Sequence, residues 1–412
     1  MLPSFVTNLP TRTEQGIILA VDLGGNHLRV CLFEFHGEKY IHYQDQYPIT
    51  AKLKSGTFEE LSDYIADAVI KLLEKHKPDY KDNKLCLGYT LSFPILHADL
   101  KNGSLHAWSR GFTCAEGIGK NPTEVLQHSF NKRHTNILVV TLTNDVVATF
   151  MASSFNNPKT IISMVIGCGF NMGFREKVAH IKHWPSEDAR KTASKYEDML
   201  INTEICQFSQ KQHGIRLNRY ERAINLISTH PHEFVCEKMI GGMYIGEIAR
   251  HMFLDLASQG LLFSGGRSMK HLEEVWSFTS KHMSRIEADT SEELEVVEDI
   301  LKKELEIETT LLCERQAVKK IVQAVGTKSA QYAACCLAAA LSFIIERDNL
   351  SSSENYVVGI AGNLFAHYPY YEDRMRKTVA ELLGDDIEKK IKIEKIQDGS
   401  GLGTALIAFN NK

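Results

Sequence analysis

The 412-residue sequence has neither a CxxC motif nor a net charge large enough to attract a polyanion. Its nine cysteines are scattered and odd in number, which argues against both a disulfide framework and a zinc site. With 47 basic and 51 acidic residues, the formal net charge is -4, so the composition favours neither nucleic acid nor anionic lipid as a partner. The cysteine pattern predicts a protein of a reducing compartment. The small net charge predicts a protein that binds neither nucleic acid nor anionic lipid.

The sequence also shows neither the pattern of a signal peptide nor a long apolar segment. Its first residues do not show the charged-then-apolar order of a secretory signal, and the longest nearly apolar run, residues 333–345, is shorter than a membrane span. We interpret that run as a buried helix of a cytoplasmic protein. Because 412 residues exceed what one hydrophobic core supports, the chain should form two lobes with a ligand cleft between them.

Two similar units occur in the first half of the chain. In one, apolar residues 17–21 and 28–35 flank a glycine turn with Asp22 at its mouth, and in the other, residues 161–166 run into a turn at Gly167. Their similarity suggests an internal duplication. Predicted strands at 85–91 and 137–142 end in polar residues, which is where open α/β sheets place ligand sites.

The second half of the chain has helical periodicity. Apolar residues recur at helical spacing in 234–259, 290–306 and 317–349, as they do earlier in 58–75, so one lobe should be rich in helix. We interpret the acidic residues of 287–306 as a solvated helix face. A last strand is predicted at 356–360, before a glycine turn and a closing helix.

The glycine turns carry the first chemical signal. Glycine lets backbone N–H groups approach phosphate oxygens, and a neighbouring carboxylate can hold Mg²⁺ through water. Asp22-Leu23-Gly24-Gly25 alone would also fit an ordinary hairpin. The matching turns at Gly167 and Gly399 instead favour a nucleotide cradle shared between duplicated halves. It is not a P-loop, since no GxxxxGK[ST] is present.

Two further segments are more specific. The sequence LGYTLSFP at residues 87–94, followed by WSRGF at 108–112, resembles the sugar-binding signature of eukaryotic hexokinases. Other blocks resemble the same family in the same order, namely residues 21–25, 144–145, 201–204, 236–247 and 398–401. Together they span nearly the whole chain. Hexokinases usually carry a further N-terminal helical segment ahead of the position that matches Met1, which we expect this chain to lack.

The resemblance implies an α/β fold of the two-lobed ribonuclease H-like or actin-like ATPase kind, built from duplicated βββαβα units. It implies a small lobe of residues 1–143 plus about 397–412, a large lobe of residues 144–396, and a sugar cleft between them. ATP, Mg²⁺ and a hexose are the implied ligands. The implied protein acts in glycolysis in the cytoplasm as a monomer or weak homodimer.

The resemblance also implies a sugar pocket and a nucleotide site. The sugar pocket would consist of Ser92, Phe93, Pro94, Ser109, Arg110, Asn144, Asp145, Asn171, Glu204 and Glu237. Asp145 would be the general base for the 6-hydroxyl, with Arg110 as a second catalytic residue. The nucleotide would contact Asp22, Gly24, Gly25, Asn26, Arg29, Cys168, Gly169, Gly362 and Asn363. Asp22 would also hold Mg²⁺ indirectly, through water.

Taken singly, these residues have ordinary explanations. Asn144 and Asp145 at a strand end would be turn formers, and Glu204 or Glu237 would be solvated charges. The ordered blocks favour the functional interpretation. Buried carboxylates and amides suit a hexose, whose hydroxyls each need donors and acceptors.

Several positions depart from the family, mostly on the nucleotide side. Residues that usually carry hydroxyl or acidic groups are replaced at Asn26-His27, Val146, Cys168 and Ala361-Gly362-Asn363. Loss of one preorganised donor to a phosphoryl transition state can cost about 2.7 to 4 kcal/mol, by analogy with oxyanion donors. On the sugar side, Ser109 replaces Thr and Arg110 replaces Lys, and Arg is the bulkier of the two cations.

Two functions of different class follow. The first is an ATP-dependent hexokinase that phosphorylates a hexose, glucose first, at the 6-hydroxyl, and the intact Asp145 favours it. The second is a sugar-binding regulator or sensor with weak or no phosphoryl transfer, which the altered nucleotide turns favour. A third possibility, intermediate between these two, is a kinase for another hexose or an amino sugar, because Ser109 and Arg110 border the pocket.

Overall fold

The computed structural model describes residues 1–209, 214–265, 269–350 and 355–412. Their strands, in chain order, are β1 Leu2–Pro3, β2 Gln15–Leu23, β3 His27–His36, β4 Lys39–Pro48, β5 Leu85–Leu91, β6 Ile95–His97, β7 Gly103–Leu105, β8 Ile137–Thr143, β9 Thr160–Ile166, β10 Phe170–Lys177, β11 Asp198–Asn202, β12 Tyr356–Ala361 and β13 Ile391–Lys395.

The α-helices of the same ranges are α1 Ala51–Ser55, α2 Phe58–His76, α3 Pro122–Lys132, α4 Asp145–Asn156, α5 Glu187–Ala193, α6 Arg219–Ile227, α7 Val235–Ile240, α8 Gly242–Ser258, α9 Lys270–Glu273, α10 Ser280–Ala288, α11 Glu295–Asp299, α12 Leu312–Asp348, α13 Asn363–His367, α14 Tyr371–Leu383, α15 Asp385–Glu388 and α16 Gly399–Phe409. Short 3-10 turns occur at Pro78–Asp82, Ala115–Gly117, Val178–His180 and Ile205–Gln207, and a π turn follows α11 at Ile300–Glu304.

The two main sheets share one topology. The first has the order β4-β3-β2-β5-β8 and the second the order β11-β10-β9-β12-β13, with β1 added beside β11. In both sheets the first three strands pair antiparallel and the last two join in parallel. The predicted fold class and the internal duplication are therefore confirmed.

Parallel pairing brings the predicted polar positions to one sheet edge. Asp22 in β2 pairs with Thr90 in β5, and Thr90 pairs with Thr143 in β8. Because these strands run in the same direction, their carboxyl ends and the residues that follow lie side by side. Predicted strands 85–91 and 137–142 correspond to β5 and β8.

Helices α4 and α16 pack against each other between the sheets. Apolar residues of β2, β3, α4 and α16 form one core, which includes Phe33, Phe150 and Leu406. The helices cross so closely that a Cβ on Gly403 would lie 1.7 Å from the carbonyl oxygen of Ala148. The boundaries of the two lobes stay a prediction, although β1 pairs with β11 in the second sheet.

Helix α2 shows how local sequence sets an element. Thr57 and Glu60 form a capping box at its N-terminus, and Phe58, Leu61 and Ile65 recur at helical spacing on its buried face. This face packs on the first sheet in a core of its own. The predicted helix at 58–75 is confirmed.

Two helical predictions need correction. Residues 234–259 do not form one helix, because the chain is extended at Gly241 between α7 and α8. A side chain at Gly241 would meet the carbonyl oxygen of Cys168 at 2.6 Å, so the break accommodates the glycine turn.

The interpretation of 287–306 as a solvated face is wrong at Glu287 and Asp289, which are buried. Glu287 is paired with Arg374 of α14.

Helix α12 contains the apolar run noted in the sequence. By length and composition it could cross a membrane, but half of its most apolar window is buried within the protein. Ala333, Leu337, Leu341 and Ile344 all belong to the core around the second sheet. The prediction of a buried helix at residues 333–345 is confirmed for the helix face that carries these four residues.

Candidate active site

A small polar pocket brings together the predicted sugar-binding residues. It is lined by Ser92, Phe93, Pro94, Ser109, Arg110, Asn144, Asn171, Glu204, Cys206, Phe234 and Glu237. Nine of these were predicted from sequence. The tenth predicted residue, Asp145, lines the adjoining larger cavity, which shares Ser92 and Arg110 with the pocket.

Asp145 is positioned by the start of α4. Asn144 caps this helix by accepting a hydrogen bond from Val146 N–H at 3.0 Å, so Asp145 occupies the first helical turn. Burial raises the pKa of Asp145 to about 6, although Arg110 and a hydrogen bond with Ser92 act in the opposite direction. A buried carboxylate with this pKa is suited to act as a general base near neutral pH.

Arg110 joins the two sides of the pocket. Its guanidinium donates from Nη1 to the carbonyl oxygen of Ser92 at 2.8 Å and from Nη2 to Glu237 Oε2 at 3.0 Å. Burial lowers the pKa of Arg110, but Glu237 and Asp145 outweigh it and the net shift is upward. Oε2 of Glu237 also accepts from Phe170 N–H at 3.1 Å, while its Oε1 is buried and has no hydrogen-bond partner within the described part of the chain.

Glu204 is held by amides around it. The residue adopts a left-handed backbone with φ of 51°, and its Oε1 accepts from Asn202 Nδ2 at 2.6 Å. Asn202 Oδ1 accepts from Asn171 Nδ2 at 2.8 Å. Burial raises the pKa of Glu204, and hydrogen bonds from Cys206, Asn202 and Gln207 oppose that rise. The chain of amides fixes Asn171 and Glu204 together on one wall.

A larger cavity of about 390 Å³ adjoins the sugar pocket. Every predicted nucleotide residue lines it: Asp22, Gly24, Gly25, Asn26, Arg29, Cys168, Gly169, Gly362 and Asn363. The turn at Gly362 requires glycine, since Gly362 has φ of 112° and a Cβ there would lie 2.4 Å from the carbonyl oxygen of Ile166. The three glycine turns seen in the sequence thus meet around one cavity.

Asp22 has the features expected of a residue that holds Mg²⁺ through water. Its Oδ2 accepts from Ser400 Oγ at 2.6 Å and lies 3.6 Å from Arg29 Nη1, whereas Oδ1 is buried without a hydrogen-bond partner among the residues that the structure describes. A hard divalent cation prefers such oxygen ligands and keeps several waters. The orphaned Oδ1 at the wall of the cavity therefore fits the predicted role.

The altered phosphate turns contact each other across the cavity. Asn26 Nδ2 donates to Cys168 Sγ at 3.5 Å, and Lys54 Nζ donates to Asn26 Oδ1 at 3.0 Å and to the carbonyl oxygen of Arg110 at 3.1 Å. Burial lowers the pKa of Lys54. This cation stands beside the turn where hexokinases usually carry hydroxyl groups.

Sequence reasoning missed some residues of both cavities. Cys206 and Phe234 complete the sugar pocket, and Thr149, His367 and Ser400 line the larger cavity. Ser400 had a usable signal, because it lies inside the glycine turn that begins at Asp398. The others come from helices or loops that carry no motif.

Two sheets of one topology, with a polar pocket and a glycine-lined cavity at their edges, define a two-lobed α/β protein of the actin-like ATPase class. The hexokinase family model matches this chain in two parts, residues 1–155 and 161–410. Hexokinase-1 of Schizosaccharomyces pombe is 32% identical over 410 residues, covering 99% of this chain and 82% of that protein. Glucokinase-1 of Saccharomyces cerevisiae is 32% identical over 442 residues, covering 99% and 87%.

A solved structure agrees with these sequence matches. The structure of hexokinase from Schistosoma mansoni complexed with glucose matches with a TM-score of 0.89 at 29% identity, covering 100% of this chain and 88% of that one. The chain belongs to the hexokinase family.

Proposed function

We propose that this protein is an ATP-dependent hexokinase that phosphorylates a hexose, glucose first, at the 6-hydroxyl. The observation that carries this proposal is the position of Asp145, a buried carboxylate where the polar pocket meets the glycine-lined cavity. A sugar in the pocket would present a hydroxyl to Asp145, and a phosphate chain in the cavity would approach the same point.

In the reaction, Asp145 accepts the proton of the 6-hydroxyl as its oxygen attacks the γ-phosphorus of ATP. The bond from that phosphorus to the β-phosphate oxygen breaks, so the products are hexose 6-phosphate and ADP. Mg²⁺, when bound, neutralises charge on the transferring phosphate and the leaving group. Asp22 would hold the metal through water.

The remaining pocket residues bind and orient the sugar. Glu204 and Glu237 accept hydrogen bonds from its hydroxyls, and Asn144 and Asn171 supply amides that can donate or accept. Such a site rejects analogues that lack a hydroxyl, since they would leave buried polar groups unpaired. Arg110 lines both cavities, so its positive charge would stabilise negative charge that develops where the two cavities meet.

Hexokinase and glucokinase relatives favour the kinase, and nothing in the comparisons favours the regulator. The role in glycolysis follows from the family. Cytoplasmic location, a monomer or weak homodimer, and the individual residue roles stay predictions.

The test is hexose 6-phosphate formation from glucose, ATP and Mg²⁺, followed through a coupled dehydrogenase. Turnover is expected to require all three. Glucose binding in calorimetry without any product would instead support the regulator.

A further inference from the structure

The side chain of Lys54, in the last turn of α1, lies beside the first glycine turn of the larger cavity. Its Nζ donates to Asn26 Oδ1 at 3.0 Å and to the carbonyl oxygen of Arg110 at 3.1 Å. Asn26 and Arg110 both line that cavity. Asn26 also reaches the second glycine turn, since its Nδ2 donates to Cys168 Sγ at 3.5 Å. The ammonium is therefore held at one turn and lies one side chain away from the other.

The charge of Lys54 is not matched by a carboxylate within ion-pair distance in the described part of the chain. The two arginines that line the cavity differ from it. Arg29 Nη1 lies 3.6 Å from Asp22 Oδ2. Arg110 Nη2 lies 3.0 Å from Glu237 Oε2. Both arginines thus have an anionic partner within the protein, whereas the acceptors of Lys54 are a neutral amide and a neutral carbonyl.

Lys54 is half-buried, which makes its unmatched charge costly. Burial lowers the pKa of this ammonium, because the charged form loses contact with water. Nζ lies 5.4 Å from the ring centroid of Phe112, and a cation at that distance from an aromatic face gains only modest stabilisation. A phosphate oxygen would offset the cost, since a hydrogen bond between two charged groups is stronger than one between neutral groups.

The position of Lys54 also sets the orientation of the Asn26 amide. A lysine ammonium has donors alone, so it must face Oδ1 of Asn26 and leaves Nδ2, the donor end, toward the turn of Cys168. Both turn residues stand where hexokinases usually carry hydroxyl groups. A thiol is a weak donor, so Cys168 replaces its hydroxyl poorly. The adjacent ammonium brings the positive charge and the strong donor that these two positions lack.

We propose that Lys54 is a phosphate-binding residue: its ammonium donates a hydrogen bond to a phosphate oxygen of ATP at the glycine turn and so compensates for the altered turn residues. The inference rests on the proposed function, since it takes the larger cavity as the ATP site. An ammonium has three donors, and Asn26 and the Arg110 carbonyl use two of them. The third is available to the nucleotide.

The test is the KM for ATP at saturating glucose and Mg²⁺, measured on the wild type and on Lys54→Met. Methionine keeps an unbranched side chain without the charge, and the KM should rise at least about tenfold because a charged donor to phosphate is lost. Lys54→Arg keeps the charge and should stay within about threefold of the wild type. Lys52→Met is the matched control. Lys52 belongs to the same helix, is exposed and lines neither cavity, so its KM should equal that of the wild type.

Salt dependence separates phosphate binding from a structural effect on the turn. Dissolved ions screen the attraction between an ammonium and a phosphate, so the KM for ATP should rise less with added salt in Lys54→Met than in the wild type. An unchanged KM in Lys54→Met would overturn the inference and leave the proposed function standing. Equal losses in Lys54→Met and Lys54→Arg with wild-type salt dependence would overturn it too, because Lys54 would then only hold Asn26 in place.

A wild type that forms no hexose 6-phosphate would overturn the proposed function instead. Calorimetry would then decide the inference, with glucose, Mg²⁺ and an ATP analogue whose β–γ bridge is an imido group and which does not transfer its phosphate. Binding of this analogue at least about tenfold more tightly by the wild type than by Lys54→Met would support the role of Lys54. An equal Kd, or binding by neither protein, would overturn it.

Discussion

Lowering the pH should switch off turnover through Asp145. Burial holds the pKa of this carboxyl at about 6, above the ordinary value for aspartate, and a general base must be ionised to accept a proton. With a pKa of about 6, roughly nine-tenths of the molecules have the base ionised at about pH 7 and roughly one-tenth at about pH 5. The value of kcat/KM should therefore fall about tenfold between those two conditions.

The assay is kcat/KM for glucose at saturating ATP and Mg²⁺ across that range, since this quantity reports the free enzyme. Ser92→Ala provides a directional check. The hydrogen bond from Ser92 lowers the pKa of Asp145, so its removal should move the acid limb to higher pH. A profile that stays flat down to about pH 5, or a limb near the ordinary aspartate value of about 3.9, would refute the assignment.

Three further outcomes are expected. Gly403→Ala should destabilise the protein by about 3 kcal/mol in urea denaturation, because its Cβ would meet the carbonyl oxygen of Ala148; an unchanged midpoint would contradict the close crossing of α4 and α16. Burial lowers the pKa of His97 to about 4 against about 6.5 when unfolded, so stability should fall by about 3 kcal/mol as the pH drops from about 6.5 to 4. His97→Asn should lose that dependence, and an equal acid slope in both proteins would count against it. Cys168→Thr should raise kcat about tenfold by restoring a hydroxyl donor to the phosphate turn, and no gain would show that Cys168 does not limit transfer.

Much of this architecture was accessible from sequence because local patterns and tertiary structure agree. The strands predicted at 85–91 and 137–142, each ending in polar residues, correspond to β5 and β8, and parallel pairing places Ser92 and Asn144 at one edge. Ordered family blocks added residues that no periodicity could supply, such as Glu204 and Glu237. The structure places these side chains around one pocket.

The misses come from contacts between distant segments. Nothing local to Gly241 shows that the carbonyl of Cys168 approaches it, so the sequence pattern predicts helix throughout residues 234–259. Glu287 has the sequence context of a solvated charge, but its partner Arg374 lies 87 residues away. Likewise, the replacement of lysine by Arg110 was visible in the sequence, whereas its ion pair with Glu237 was not.

The altered nucleotide turns do not leave the cavity without polar groups. Lys54 and Asn26 are hydrogen-bonded at the turn, and Ser400 and Arg29 surround Asp22. Polar groups therefore remain at the Asn26 turn and around Asp22, which weakens the sequence-based case for a sensor. Calorimetry with ATP and Mg²⁺ on the wild type would show how well these groups bind the nucleotide.

The most direct test of the central claim is a comparison of Asp145→Asn with the wild type in both glucose binding and hexose 6-phosphate formation. Asparagine keeps the shape and hydrogen-bonding capacity of the side chain but cannot act as a base. The variant should retain glucose binding within about tenfold while kcat falls by about 10²- to 10⁴-fold, the usual contribution of a general base. Turnover at the wild-type rate in Asp145→Asn would contradict the proposed chemistry.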